Sequence, residues 1–83
     1  MFYVYFLISL TNPQKTYIGF TTNHPTERLS GHNAGDTAYT KKHKPWQLAS
    51  YIAFQTEAQA RRYEVYAKSG SGKAYINKHF LTP

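Results

Sequence analysis

Apolar positions along the chain fall into three blocks that read as strands, set among three stretches that read as helices. Residues 2–10, FYVYFLISL, are almost unbroken aromatic and β-branched, which predicts a central strand covered on both faces. TNPQ at 11–14 supplies turn chemistry, and KTYIGF at 15–20 reads as a second short strand, so the pair is expected to form an antiparallel hairpin. WQLASYIAF at 46–54 predicts a third strand. Its alternation is imperfect, but Trp46, Leu48, Tyr51, Ile52 and Phe54 provide apolar surface.

Between these strands the period changes. Thr21, Thr22 and Asn23 offer helix caps, and Pro25 suits a first helical turn, so a short helix is expected over 25–32. Asn33, Ala34 and Gly35 stop it, with Gly35 as the left-handed cap. DTAYTKKHKP at 36–45 reads as a polar, basic loop with room for one more helical turn. Thr56 followed by Gln59 resembles a capping box, and the helix it opens runs to about Lys68. Its inward stripe is Ala60, Tyr63 and Ala67, with Glu64 beside it. SGSGK at 69–73 reads as a flexible stop, followed by a last helix over 73–80 that packs Tyr75, Ile76 and Phe80. The order ββα–loop–βαα predicts an α+β fold, a small three-stranded antiparallel sheet flanked by helices.

Composition narrows the function. Eighty-three residues make one domain, 1–83, with a marginal core. There is no cysteine, hence no disulfide and no thiolate zinc site. His24, His32, His43 and His79 lack the paired spacing of a His-based zinc site. Ten Lys and Arg against four Asp and Glu give a net charge of +6, which favours a polyanionic partner, most simply nucleic acid. The apolar start is too short to span a bilayer and has no basic leader, so the expectation is a cytoplasmic protein with no membrane partner.

Several chemistries have no residues to carry them. SGSGKA at 69–74 follows a helix and is a poor phosphate cradle. No paired carboxylates suit a glycosidase or a two-metal site, and no serine sits in a nucleophile elbow. What remains is Tyr3 and Tyr5 on one face of the first strand, Tyr17 on the second, and Arg28 with His32 four residues apart on the next helix. Glu64 sits in R-R-Y-E-V-Y on the long helix. Each has an ordinary reading: tyrosine as strand packing, Arg28 paired with Glu27 or Asp36 at the surface, His32 as a helix C-terminal charge. Glu64 fits that reading least, because a half-buried carboxylate needs a cation. Together the residue types supply a base, a positive clamp, a second hydrogen-bonding group and a cation ligand, which is what phosphodiester chemistry requires.

The pattern VYFLIS…TYIGFTTNHPTERLSGHNAG resembles the GIY-YIG endonuclease family. Tyr17-Ile18-Gly19 is the intact second half-motif, and Tyr3-Val4-Tyr5 stands in degenerate form for the first, with Tyr3 replacing its glycine. Arg28, His32, Asn33, Gly35 and Pro45-Trp46 continue the pattern, which is similar to small stand-alone bacterial members and to the nuclease half of the structure-specific resolvase subunit. The resemblance covers about residues 2–80 and implies metal-dependent hydrolysis of DNA. It implies Tyr5 and Tyr17 as the tyrosine pair, one of them a general base whose phenolate Arg28, a nearby Lys and the metal would stabilise. It implies Arg28 as the transition-state clamp, His32 as a phosphate ligand or proton relay, Glu64 as holder of one Mg²⁺ or Mn²⁺, and Asn77 as a phosphate or tyrosine orienter. Lys15, Lys41, Lys42 and Lys44 supply backbone contacts without reading sequence. With no second domain to choose a target, cleavage is expected to be structure-directed or weakly specific, on branched or damaged DNA in repair or recombination, with a partner protein for targeting. Two rivals stand beside this: a catalytically weak nucleic-acid-binding module of the same fold, and an interaction domain whose tyrosines are core.

Overall fold

Near-continuous apolarity in the first block follows from its place in the sheet. In the computed structural model, which describes residues 1–81, β1 (Phe2–Ser9) lies between β2 (Thr16–Thr21) and β3 (Trp46–Phe54), antiparallel to both. Val4, Tyr5, Phe6 and Leu7 are all buried because both faces of this strand are covered. Even-numbered β1 residues pack with Ile18, Ala60, Ala67 and Ile76 under one layer of helices. Odd-numbered ones, Tyr5 and Leu7, pack with Trp46, Tyr17 and Leu29 under the other.

The uneven alternation of β3 has a physical cause. Its register on β1 slips between Phe6 and Leu7, so that Leu48 opposes Leu7 while Ser50 opposes Phe6. This bulge rotates the strand by one position. Trp46 and Leu48 therefore serve the Tyr5 side, and Ile52 and Phe54 serve the opposite core.

Helices follow the sequence with three corrections. α1 (Pro25–Asn33) is capped by His24, whose Nδ1 accepts the Thr26 amide at 3.3 Å, and not by Thr21, Thr22 or Asn23. The basic stretch contains a helix, α2 (Ala38–His43), closed by a reciprocal Thr37–Thr40 capping box. The SGSGK stretch is no flexible stop. Ser69 ends α3 (Glu57–Lys68) and its hydroxyl also caps α4 (Gly70–Ile76), which starts three residues earlier than expected. Gly72 permits this, since a Cβ there would collide with the Tyr66 carbonyl oxygen. A π-helical turn, Asn77–Leu81, continues α4. Gly35 takes φ +81° and turns the chain after α1, as its position suggested.

α1 is fastened to the sheet by Asn33. Its amide oxygen accepts the Trp46 N–H at 2.5 Å, and its Nδ2 donates to the Trp46 carbonyl at 3.2 Å. The Trp46 indole N–H donates to the Thr40 carbonyl at 2.9 Å, which ties in α2.

Candidate active site

Two strands and one helix build the central cluster. Tyr5 pairs across the ladder with Gly19, and Leu7 with Tyr17, so Tyr5 and Tyr17 are diagonal neighbours on one face with ring centroids 6.1 Å apart. The Tyr5 ring lies where a Gly19 side chain would be: a Cβ there would stand 2.5 Å from Cζ and from the hydroxyl oxygen of Tyr5. α1 covers this face and directs Arg28 and His32, one turn apart, at the phenols. His32 is fully buried, its ring centroid 4.6 Å from that of Tyr17.

Hydrogen bonding orders these groups. The Tyr5 hydroxyl and His32 Nε2 are 2.8 Å apart. Arg28 and Tyr17 also act on that hydroxyl. Burial, then the Arg28 charge, holds the His32 imidazole below its usual pKa, with Asp36 opposing. His32 is therefore neutral at pH 7, and one ring nitrogen is an acceptor. Asp36 Oδ1 stands 3.5 Å from Nδ1, so we assign the proton to Nδ1 and the accepting role to Nε2, with the Tyr5 hydroxyl as donor. Nδ1 makes no hydrogen bond within the described residues; the Asp36 carboxylate compensates it only through space. The other Asp36 oxygen meets Arg28 at 3.2 Å, with both side chains about one-third exposed.

Burial outweighs Arg28 at the Tyr5 hydroxyl: the guanidinium lowers its pKa, but desolvation is the larger effect and pushes it up to about 12. Tyr5 is a proton-bearing phenol at neutral pH. Tyr17, only half-buried, is the more open of the two.

Glu64 comes from another helix. It belongs to α3, which packs on the face holding Val4, Phe6 and Ile18, the reverse of the Tyr5 face. Its carboxylate, 16% exposed, pairs with Lys68 at 3.0 Å and Arg61 at 3.6 Å. Arg61 is further engaged with Glu57 and lies 3.7 Å over the Phe20 ring on β2. Tyr5, Tyr17, Arg28 and His32 thus gather in one place, while Glu64 reaches the neighbourhood of the edge strand β2 through Arg61, paired with that residue and with Lys68. Asn77 opens the π-helical turn and lines a small cavity with Pro13, Gln14 and Thr16, beside the β1–β2 turn. Lys15, Lys41, Lys42 and Lys44 are all exposed, Lys41 and Lys42 in the last turn of α2. Tyr39 draws α2 to β2 by donating its hydroxyl proton to the Thr16 carbonyl at 2.9 Å.

A profile of the GIY-YIG catalytic domain matches residues 1–79. The chain belongs to the GIY-YIG family. It is also 32% identical over 73 residues to a structure-specific endonuclease subunit SLX1 homolog of Giardia intestinalis, an alignment taking in 83% of this chain and 20% of that protein. The chain therefore spans about a fifth of that relative's length.

Within this GIY-YIG domain Glu64 is the carboxylate that the resemblance offers to the divalent ion implied by the family. No group of three His, Cys, Asp or Glu able to hold a metal exists among the described residues. A single carboxylate suits an ion that keeps most of its waters. The two cations on Glu64 are each more than half exposed, so their ion pairs are weak and displaceable.

Sequence reasoning underrated two residues. Asp36 is more than a surface partner of Arg28, because it also faces buried His32. The signal was its place four after His32 and eight after Arg28, masked because the helix ends between them. Gly31 makes room for it: a Cβ there would meet Asp36 Oδ2 at 2.9 Å and Arg28 at 3.3 Å. Among the described residues no helix is long and apolar enough to cross a membrane.

Proposed function

We propose that this domain is a divalent-metal-dependent endonuclease that hydrolyses DNA phosphodiester bonds through the Tyr5–Tyr17–Arg28–His32 cluster. The observation that carries the reading is the 2.8 Å contact between the Tyr5 hydroxyl and neutral, buried His32, with a second phenol and a guanidinium beside it. Membership of the family and a basic surface of net +6 support it.

The proton route follows from exposure. Tyr17, the more open phenol, receives a proton from the attacking water and passes its own to the Tyr5 oxygen. Tyr5 passes its proton to His32 Nε2. Water becomes hydroxide, both phenols end neutral, and the imidazolium formed is balanced by Asp36. A relay ending on a neutral imidazole avoids making a free phenolate, which a pKa of about 12 at Tyr5 forbids near pH 7. Arg28, one-third exposed and held by Asp36, presents its remaining N–H donors to the charge growing on the phosphoryl oxygens. The metal, held by Glu64 and waters, would polarise a phosphoryl oxygen and stabilise the leaving 3′ oxygen. Lys15, Lys41, Lys42 and Lys44 would hold the backbone, and Asn77 would orient a phosphate. The substrate is branched or damaged DNA met in repair or recombination, with a protein partner for targeting.

Incubating the purified chain with flapped, branched and fully paired DNA in the presence of Mg²⁺ or Mn²⁺ tests this. Cleavage that disappears in both Arg28→Ala and Glu64→Ala supports it; cleavage that persists in both overturns it. Salt-sensitive binding with no cleavage in any metal would favour the weakly active binding module instead.

A further inference from the structure

On the face that carries Tyr5 and Tyr17, three more rings meet beside the cluster. Tyr3 lies two residues before Tyr5 on β1, about 7 Å along the strand. Tyr51 is the direct cross-strand partner of Tyr5 on β3. His24 caps α1, one turn before Arg28. The centroids of Tyr3 and His24 are 5.5 Å apart, those of Tyr3 and Tyr51 5.9 Å, and those of His24 and Tyr51 5.2 Å. All three pairs are tilted or edge-on.

This is an unusual expenditure of aromatic surface. Tyr51 is 42% exposed and His24 is exposed, so the rings do not close a core. Neither hydrophobic cluster includes them. Yet two of them are held in place. His24 Nδ1 accepts the Thr26 amide at 3.3 Å and lies 3.0 Å from the Thr26 hydroxyl, which locks the imidazole plane at the helix cap. Tyr3 is half-buried on the central strand. A rigid, open set of rings next to an arginine, on a protein of net charge +6, is what a polynucleotide strand uses when a base is free to leave its stack. A paired base keeps its faces covered and gains nothing from such a platform.

We infer that Tyr51, with Tyr3 and His24 behind it, is a stacking platform for one unpaired nucleobase next to the phosphate that Arg28 grips. The inference rests on the proposed DNA chemistry and adds its source of selectivity. A strand with an unpaired nucleotide beside the scissile bond gains stacking energy at Tyr51, whereas continuous duplex does not. The discrimination is for exposed bases, with no preference among the four, because every base offers a ring face.

The test is a binding measurement on the full chain without divalent metal, so that cleavage plays no part. The probe is a flapped duplex with 2-aminopurine as its first unpaired base, whose fluorescence is quenched on stacking. The unaltered chain is expected to quench it. Tyr51→Ala should abolish the quenching and weaken binding to the flap about tenfold. Tyr51→Phe should keep both, and fully paired duplex should bind the Ala variant and the unaltered chain alike. An abasic residue at the probe position should erase the difference between Tyr51→Ala and the unaltered chain. Undiminished quenching in Tyr51→Ala, or an equal loss of affinity for paired duplex, overturns the platform while leaving the nuclease reading in place. Failure of the unaltered chain to bind any of these DNAs overturns both.

Discussion

Gly19 stands directly across the ladder from Tyr5, and the tyrosine ring occupies the space a side chain on Gly19 would need. The glycine of the Y-I-G triplet is thus the floor on which the buried phenol rests. Gly19→Ala is expected to push the Tyr5 ring off this strand and out of line with His32. A displacement of about 1 Å at such a group can cost about 10²-fold in rate. Cleavage assays alongside thermal melting check this: a folded Gly19→Ala protein with undiminished cleavage would show that Tyr5 need not lie there.

Asp36 sets the charge around His32. The relay needs His32 neutral, and its lowered pKa places the acid limb of the rate profile below the ordinary histidine value of about 6.5. Asp36→Asn removes the one carboxylate that opposes burial and the Arg28 charge. The His32 pKa then falls further, so the acid limb moves to lower pH while the plateau rate drops, because a weaker base ends the relay. A profile of single-turnover rate against pH is the measurement. A limb that stays put or moves upward would contradict the assignment.

Tyr5 should leave a mark on alkaline stability. Its folded pKa of about 12 lies above the unfolded value of 10.0. The folded state holds this proton longer than the unfolded chain, so the contribution is complete below pH 10 and is lost as pH rises toward 12. Two units correspond to roughly 2–3 kcal/mol for a phenol that is 1% exposed. Denaturant titrations from pH 9 upward should show the unaltered chain losing stability more steeply than Tyr5→Phe. Parallel curves would remove Tyr5 as the cause.

Glu64 should control metal dependence without touching the phenol cluster. Glu64→Gln keeps the shape and removes the charge that balances Arg61 and Lys68. We expect Mn²⁺ binding, followed by paramagnetic relaxation of water, to weaken at least tenfold, with the alkaline titration of Tyr5 unchanged. Unaltered Mn²⁺ affinity would place the ion elsewhere.

Much of this architecture could be read from the chain because local signals agreed with their surroundings. The strand bounds, Pro25 at the start of α1, Thr56 at the start of α3 and Gly35 at a left-handed turn all rest on short-range chemistry. What escaped depended on distant partners. The bulge that rotates β3 shows in sequence only as broken alternation between Leu48 and Ile52. Ser69 serves two helices at once because Gly72 lets α4 press on the Tyr66 carbonyl, which no spacing rule contains. At the site, the i, i+4 spacing brought Arg28 and His32 together, but only the fold shows that burial outweighs Arg28 at the Tyr5 hydroxyl. It alone also shows Glu64 held between Arg61 and Lys68.

The Asn33–Trp46 pair has a mechanical meaning. Two hydrogen bonds weld the helix bearing the guanidinium and imidazole to the ribbon neighbouring the phenols. A shift of that helix would therefore drag the ribbon with it, as an anvil moves with its block.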